Sequence, residues 1–173
     1  FIDALENLRK AEALALIVDL RNNPGGSVKA AQTVASQFLD GGLLMYEIDK
    51  DGNRTDIRIQ EGGIAIETFE EFPVVVLINE FTASTAEAVS GALQDNDRAQ
   101  LMGVPTFGKG SANVFHEMTN GAAMYLPVSE WFTPSGQAVQ GKGIQPDIEA
   151  LLSRKDITDG IDSQLRSAYQ YLD

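Results

Sequence analysis

The apolar residues of the chain fall into short continuous runs and into stretches with helical spacing, and glycine-rich or polar turns separate them. The runs at 14–20 and 73–79 are typical of strands that are covered on both faces of a sheet. Stretches with helical spacing follow them at 28–39 and 86–93. This alternation of strand, turn and helix predicts a layered α/β domain.

The rest of the chain predicts two more helices and a group of shorter strands. The helices are expected near the two ends, at 2–10 and 161–172. The sequence at 43–48 and 57–59 predicts a hairpin that turns at 49–53. Further strands are predicted at 99–104, 114–118, 122–128 and 130–133.

The composition is that of a folded globule, and its charge argues against two classes of partner. A chain of 173 residues with 43% hydrophobic content can form one domain with an apolar core. We expect one domain over 1–173, ending in a linker and helix over 153–173. The formal net charge of −12 argues against a nucleic-acid partner and against docking on anionic lipid.

Several other kinds of site are also excluded or disfavoured by composition. No segment approaches the roughly 18 consecutive apolar residues of a transmembrane span. Because the chain has no cysteine, it has no disulfide, no thiolate metal site and no cysteine nucleophile. His116 is the single histidine, which argues against a metal site.

A serine lies where the second buried strand is expected to give way to a helix. The unpaired N–H groups and the positive end of the helix dipole there favour ionisation of the Ser84 hydroxyl, and the N–H of Thr85 is placed to hold an oxyanion. Residues 84–87 also match a capping box, which is a purely structural role. Thr82 and Thr85 carry further hydroxyls, so spacing alone does not choose the nucleophile.

A lysine lies in a glycine-flanked turn after a short apolar run. Residues 103–109 match the start of a phosphate-binding loop, but Gly110 stands where magnesium binding needs Ser or Thr, and the following residues predict a strand. A nucleotide site is therefore not expected. Serine with lysine is a nucleophile–base pair for acyl transfer, and we expect Phe107 and the neighbouring glycines to give Lys109 the dry setting that a neutral lysine needs. The alternative is a solvated surface lysine.

The glycine turn after the first buried strand is a candidate for substrate binding. Sites in open α/β sheets form at the carboxyl ends of strands, and the turn at 22–26 lies at such an end. Gly25 or Gly26 can bring an N–H close to a substrate carbonyl and act as an oxyanion donor. The alternative is a plain turn that leads into a helix.

With these residues in place, the chain resembles the protease core of the carboxyl-terminal processing (tail-specific) serine peptidases. The resemblance implies a ClpP/crotonase-like core, in which helices flank a central β-sheet, with Ser84 and Lys109 as a catalytic dyad. It implies Gly26 and Thr85 as oxyanion donors, with Gly25 as a less favoured third. The matching stretches keep the family's order and are LIVDLRNNPGG (16–26), VVVLINEFTASTAEAVSGALQD (74–95), VPTFGKG (104–110) and WFTPSGQAVQGKGIQPDI (131–148).

The resemblance also implies an activity and a location, and the chain departs from the family pattern in two ways. The activity is endopeptidase cleavage of polypeptides near their carboxyl terminus through an acyl-enzyme, without a cofactor, in the periplasm or cell envelope. Asn113 replaces the family's glutamine four residues after the lysine, and because its side chain is one methylene shorter we expect it to orient Lys109 more loosely or through water. A PDZ domain is expected before Phe1, so we expect the sequence to be a fragment of a longer protein. The alternatives are a dormant protease-like module and a crotonase-type acyl-CoA enzyme.

Overall fold

The fold consists of two sheets and the helices that pack against them. The computed structural model describes residues 1–61 and 72–173. The described helices are α1 (Ile2–Lys10), α2 (Val28–Ala35), α3 (Thr85–Asp95), α4 (Arg154–Asp159) and α5 (Ser163–Leu172). The described strands are β1 (Leu16–Asp19), β2 (Leu43–Asp49), β3 (Arg54–Arg58), β4 (Val74–Ile78), β5 (Gln100–Gly103), β6 (Ser111–Glu117), β7 (Ala123–Phe132) and β8 (Ile148–Glu149).

The first sheet is parallel, with the strand order β1-β4-β5-β8. All five residues of β4 are buried, which confirms the prediction of a strand covered on both faces. The same prediction holds less completely for β1, whose Val18 packs against one apolar cluster and whose Ile17 packs against the other, while its last residue, Asp19, is exposed. Leu14, the first residue of that apolar run, precedes the strand and is exposed.

The two faces of β4 divide the apolar interior into two clusters. Successive side chains of a strand point to opposite faces. Val74, Val76 and Ile78 belong to the cluster that α2, α3, β2 and β7 complete. Val75 and Leu77 pack instead with residues of β5 and α5. The helices therefore flank the parallel sheet on both sides, and α3 is held between that sheet and the second one.

The second sheet is antiparallel, with the strand order β3-β2-β7-β6. The predicted hairpin is confirmed as β2 and β3, and the Asp49 carboxylate accepts hydrogen bonds from the N–H groups of Asp51 and Asn53 in its turn. The prediction of two strands at 122–128 and 130–133 is wrong, because β7 continues through Ser129. The Ser129 hydroxyl donates to Glu47 of β2, so this polar residue has a partner inside the sheet.

The predicted helices are present, although their ends differ. The bounds of α1 agree with the sequence pattern, whereas α2 ends at Ala35 rather than at 39. The stretch predicted as a linker contains α4, whose first turn is capped by Ser153. Among residues 1–61 and 72–173 there is no helix long and apolar enough to span a membrane.

An ion-pair cluster joins the turn after β1 to the start of α5. The Arg21 guanidinium donates to Asp19 Oδ2 at 2.7 Å and to both Asp162 carboxylate oxygens at 2.7 and 2.9 Å. These contacts raise the pKa of Arg21, and the hydrogen bonds from Arg21 lower the pKa of Asp162. Asp162 is also the N-cap of α5 and accepts from the Leu165 N–H.

We expect Asp162→Asn to lower the free energy of unfolding at pH 7 by about 1 kcal/mol, because the pair is partly exposed. Asparagine still caps α5, so the loss reports the ion pair. The Asp162 carboxyl has a pKa of about 3.9 in the unfolded chain and a lower pKa in the folded protein. The stabilisation is therefore complete above the unfolded pKa. It is lost as the pH falls through the folded pKa. Urea unfolding from pH 7 to pH 3 checks this, and a difference that stays constant over that range contradicts it.

Candidate active site

Ser84 occupies a sharp junction between β4 and α3. Its backbone has φ 58° and ψ −125°, a conformation that a residue with a side chain rarely adopts. Such strain persists only where the surroundings hold it in place. One restraint is the Ser84 N–H, which donates to Glu87 Oε2 at 2.7 Å, so this half of the predicted capping box is present.

The buried carboxylate of Glu87 connects the serine segment to the lysine segment. Glu87 is 0% exposed and accepts four hydrogen bonds. Its Oε1 accepts from the Thr106 hydroxyl at 2.6 Å and from the Gly108 N–H at 2.7 Å. Its Oε2 accepts from the N–H groups of Ser84 and Lys109, at 2.7 and 2.9 Å. The backbones of the predicted nucleophile and base are therefore bound to the same oxygen atom.

The loop that carries Lys109 is packed closely against residues 139–144. A Cβ atom on Gly110 would lie 2.2 Å from the Gln140 nitrogen, so this position tolerates only glycine. The Trp131 indole N–H donates to the Lys109 carbonyl at 3.0 Å and fixes it from the second sheet. The loop leads into β6, as the sequence predicts, and not into the helix of a phosphate-binding loop.

The setting of Lys109 is more open than the sequence suggests. Lys109 is half-buried, and with Phe107 it lines an apolar pocket of about 610 Å³ that we call the Phe pocket. Phe107 is 63% exposed, so its ring does not seal the lysine from solvent. Lys109 also lines a second pocket, together with Ser84.

The glycine turn after β1 lies directly against the serine. The Ala83 N–H donates to the Asn23 carbonyl, which ties the two segments together. Gly25 has φ 92°, and a Cβ atom there would lie 2.9 Å from Ser84 Cβ. The turn therefore needs glycine in order to pack on the serine.

The predicted oxyanion donors have different partners in the structure. The Gly26 N–H donates to the Thr85 hydroxyl at 2.8 Å, and the Gly25 N–H donates to the Asn23 side chain at 2.9 Å. Thr85 is the first residue of α3, where the N–H has no acceptor within the helix. The oxyanion roles of Gly26, Thr85 and Gly25 remain predictions.

One pocket of about 290 Å³ brings most of the predicted site residues together, and we call it the Ser84 pocket. Its lining residues include Ser84, Lys109, Gly26, Thr85 and Asn113. Gly25 is not among them, although it lies directly against Ser84. The Asn113 amide donates to the carbonyl and hydroxyl oxygens of Ser111, both at 3.2 Å. An orienting contact from Asn113 to Lys109 therefore stays a prediction.

Sequence reasoning missed two contributions to this site. Glu87 was interpreted only as part of a capping box, because its partners Thr106, Gly108 and Lys109 are distant in sequence. The wall that β2 and β7 supply was missed as well. The alternating pattern of β2, which puts Met45 and Glu47 on one face, is the signal that was available.

Comparisons with known proteins agree with the resemblance. The model of peptidase family S41 matches residues 1–150. The chain is 37% identical over 155 residues to the chloroplastic carboxyl-terminal-processing peptidase 3 of Arabidopsis thaliana, covering 89% of the chain and 29% of the relative. It is 36% identical over 172 residues to the carboxyl-terminal-processing protease of Synechocystis, covering 98% of the chain and 39% of the relative.

A solved structure shows the same fold. The photosystem II D1 C-terminal processing protease superposes with a TM-score of 0.79 at 32% identity, over 86% of this chain and 38% of that one. The ClpP/crotonase-like fold that the resemblance implied is thereby confirmed. The chain spans well under half the length of each of these relatives. The family match over residues 1–150 and the identities of 36–37% show that this chain belongs to peptidase family S41.

Proposed function

We propose that the chain is the catalytic core of a serine endopeptidase that acts through a Ser84–Lys109 dyad and cleaves polypeptides near their carboxyl terminus. The observation that carries the proposal is the bridge through Glu87. One buried carboxylate oxygen accepts from the N–H groups of both Ser84 and Lys109, and both residues line the same pocket. A shared anchor of this kind supports a fixed geometry between nucleophile and base.

In the proposed mechanism, the neutral Lys109 amine takes the hydroxyl proton of Ser84 as Oγ attacks the substrate carbonyl. The tetrahedral intermediate collapses when the C–N bond breaks, and Lys109 gives its proton to the leaving amine. A water molecule, deprotonated by Lys109, then attacks the acyl-enzyme. The proton returns to Ser84 Oγ as the ester bond breaks, and the product acid leaves.

The oxyanion of the tetrahedral intermediate needs donors at the start of α3. The Thr85 N–H and the positive end of the α3 dipole are suited to this charge. The Gly26 N–H now donates to the Thr85 hydroxyl at 2.8 Å, so in this proposal the substrate oxygen replaces that hydroxyl as the acceptor. Gly26 and Thr85 border the Ser84 pocket together, which supports the pairing.

The substrate class and the location are taken from the relatives. The names of the Arabidopsis and Synechocystis proteins describe carboxyl-terminal processing, and we extend that specificity to this chain. By the same family resemblance, the protein acts outside the cytoplasm, in the periplasm or cell envelope. The catalytic groups do not depend on either extension.

A serine-reactive fluorophosphonate tests the dyad without a natural substrate. We expect one label per chain, on Ser84 by mass spectrometry, and none on Ser84→Ala. Cleavage of an unstructured polypeptide with an apolar carboxyl terminus is expected to be lost in the same variant. Ser135→Ala, in the loop after β7, serves as the matched control and should label like the parent. A folded parent chain that takes no label would instead indicate a dormant module, and saturable acyl-CoA binding without labelling would favour a crotonase-type enzyme.

A further inference from the structure

The second sheet places a carboxylate in the Ser84 pocket. Met45 and Glu47 point from the same face of β2 into this pocket, and Trp131 lies opposite Glu47 in the pairing of β2 with β7. Met45 is 3% exposed and Trp131 is 4% exposed, so both contribute buried apolar surface to the lining of the pocket. Glu47 is half-buried and is the acidic residue among those that line the pocket.

The Glu47 carboxylate is oriented by a neutral group. The Ser129 hydroxyl donates to Oε2 at 2.8 Å. None of the ion pairs formed within residues 1–61 and 72–173 includes Glu47. Lys109 lines the same pocket, but none of the described ion pairs joins it to Glu47. A half-buried carboxylate without an ion pair favours a ligand that supplies a cation.

We infer that Glu47 makes this peptidase selective for lysine or arginine at the residue whose carbonyl Ser84 attacks. The inference rests on the proposed function. That carbonyl must lie at Ser84 with its oxygen near Gly26 and Thr85, and all three residues border the pocket that contains Glu47. The side chain of the same substrate residue is attached to the Cα next to that carbonyl, so it can reach into this pocket.

The chemistry of the pocket matches such a side chain along its length. Lysine and arginine have apolar stems and a cationic end, and they bury the stem where the charge can find a partner. Met45 and Trp131 offer the apolar contact and Glu47 the acceptor. The Phe pocket is lined by Asn22, Pro24, Phe81, Ala83, Phe107 and Lys109, and among the residues that the structure describes no carboxylate lines it. A preference for a cation therefore belongs to the Ser84 pocket.

A pair of peptidyl diphenyl phosphonates tests the inference with a fixed register. Ser84 Oγ forms the bond to phosphorus and a phenol leaves, so the side chain next to phosphorus occupies the place of the attacked residue. One probe has a lysine side chain there and the other has norleucine. We expect the lysine probe to label Ser84 about tenfold faster than the norleucine probe. Glu47→Gln should reduce this ratio to about one by slowing the lysine probe about tenfold more than the norleucine probe.

The controls separate this inference from the proposed function. Glu130→Gln changes an exposed glutamate of β7, outside the Ser84 pocket, and should keep the preference for lysine. Equal rates for the two probes on the parent chain would overturn the inference. So would a Glu47→Gln variant in which both rates change alike, because Glu47 would then be acting through Lys109. If the simple fluorophosphonate labels Ser84 but neither phosphonate does, the dyad stands and the inference fails; if none reacts, both fail.

Discussion

Replacing Lys109 by methionine is expected to lower the rate of Ser84 acylation about a thousandfold, the scale of losing a general base. Methionine keeps the apolar stem and removes the amine. The backbone contacts of this residue with Glu87 and Trp131 do not involve the side chain, so the loop should keep its place. Labelling by the fluorophosphonate and cleavage of the unstructured polypeptide are the two readouts. Lys142→Met, at an exposed lysine of the adjacent loop, is the matched control.

A chemical rescue makes the test specific for the amine. The parent chain has no cysteine, so Lys109→Cys introduces the one thiol in the protein. Alkylation of that thiol with 2-bromoethylamine rebuilds a side chain of nearly the length of lysine with a terminal amine. We expect the unmodified variant to be inactive and the alkylated one to regain most of the rate. A Lys109→Met variant that labels Ser84 at the parent rate would rule out Lys109 as the base.

The parts of the fold that the sequence predicted well are those with strong local patterns. The continuous apolar run of β4 and the helical spacing of α1 each depend on neighbouring residues, and both elements lie where they were expected. The errors arise where distant contacts decide. β7 runs through Ser129, whose hydroxyl donates to Glu47 of another strand, a partner that no local pattern indicates.

In the candidate site, too, local patterns predicted some residues, whereas distant contacts decide the placement of others. Ser84, Lys109 and the glycine turn were found through local motifs and their resemblance to a family, and the structure brings them to one place. Their mutual arrangement depends on Glu87 and on the wall from β2 and β7. Those contacts join residues of separate elements, and no local pattern encodes which of them meet. Sequence patterns thus identified the candidate reactive groups but not the residues that set the geometry and lining of their pocket.

Glu87→Gln is expected to destabilise the fold and to disable Ser84 together. The carboxylate accepts four hydrogen bonds, from Ser84, Thr106, Gly108 and Lys109. The glutamine amide has one acceptor oxygen, and its NH₂ group must face donors on the other side. Two buried donors then lose their acceptor, which is expected to lower the free energy of unfolding by about 3 kcal/mol. Urea unfolding measures this loss, with Glu80→Gln, at an exposed glutamate before α3, as the control.

A positioning role for Glu87 requires an effect beyond the loss of stability. Thr106→Val removes one donor to Oε1 and leaves the two hydrogen bonds that the N–H groups of Ser84 and Lys109 donate to Oε2. We expect this variant to be destabilised but, while folded, to label with fluorophosphonate within about threefold of the parent, whereas Glu87→Gln should label about a hundredfold more slowly. The strained backbone of Ser84 is held in part by its bond to Glu87, so an amide whose NH₂ group faces Ser84 and Lys109 lets the hydroxyl leave the pocket. If folded Glu87→Gln labels as fast as Thr106→Val, Glu87 stabilises the fold without positioning the dyad.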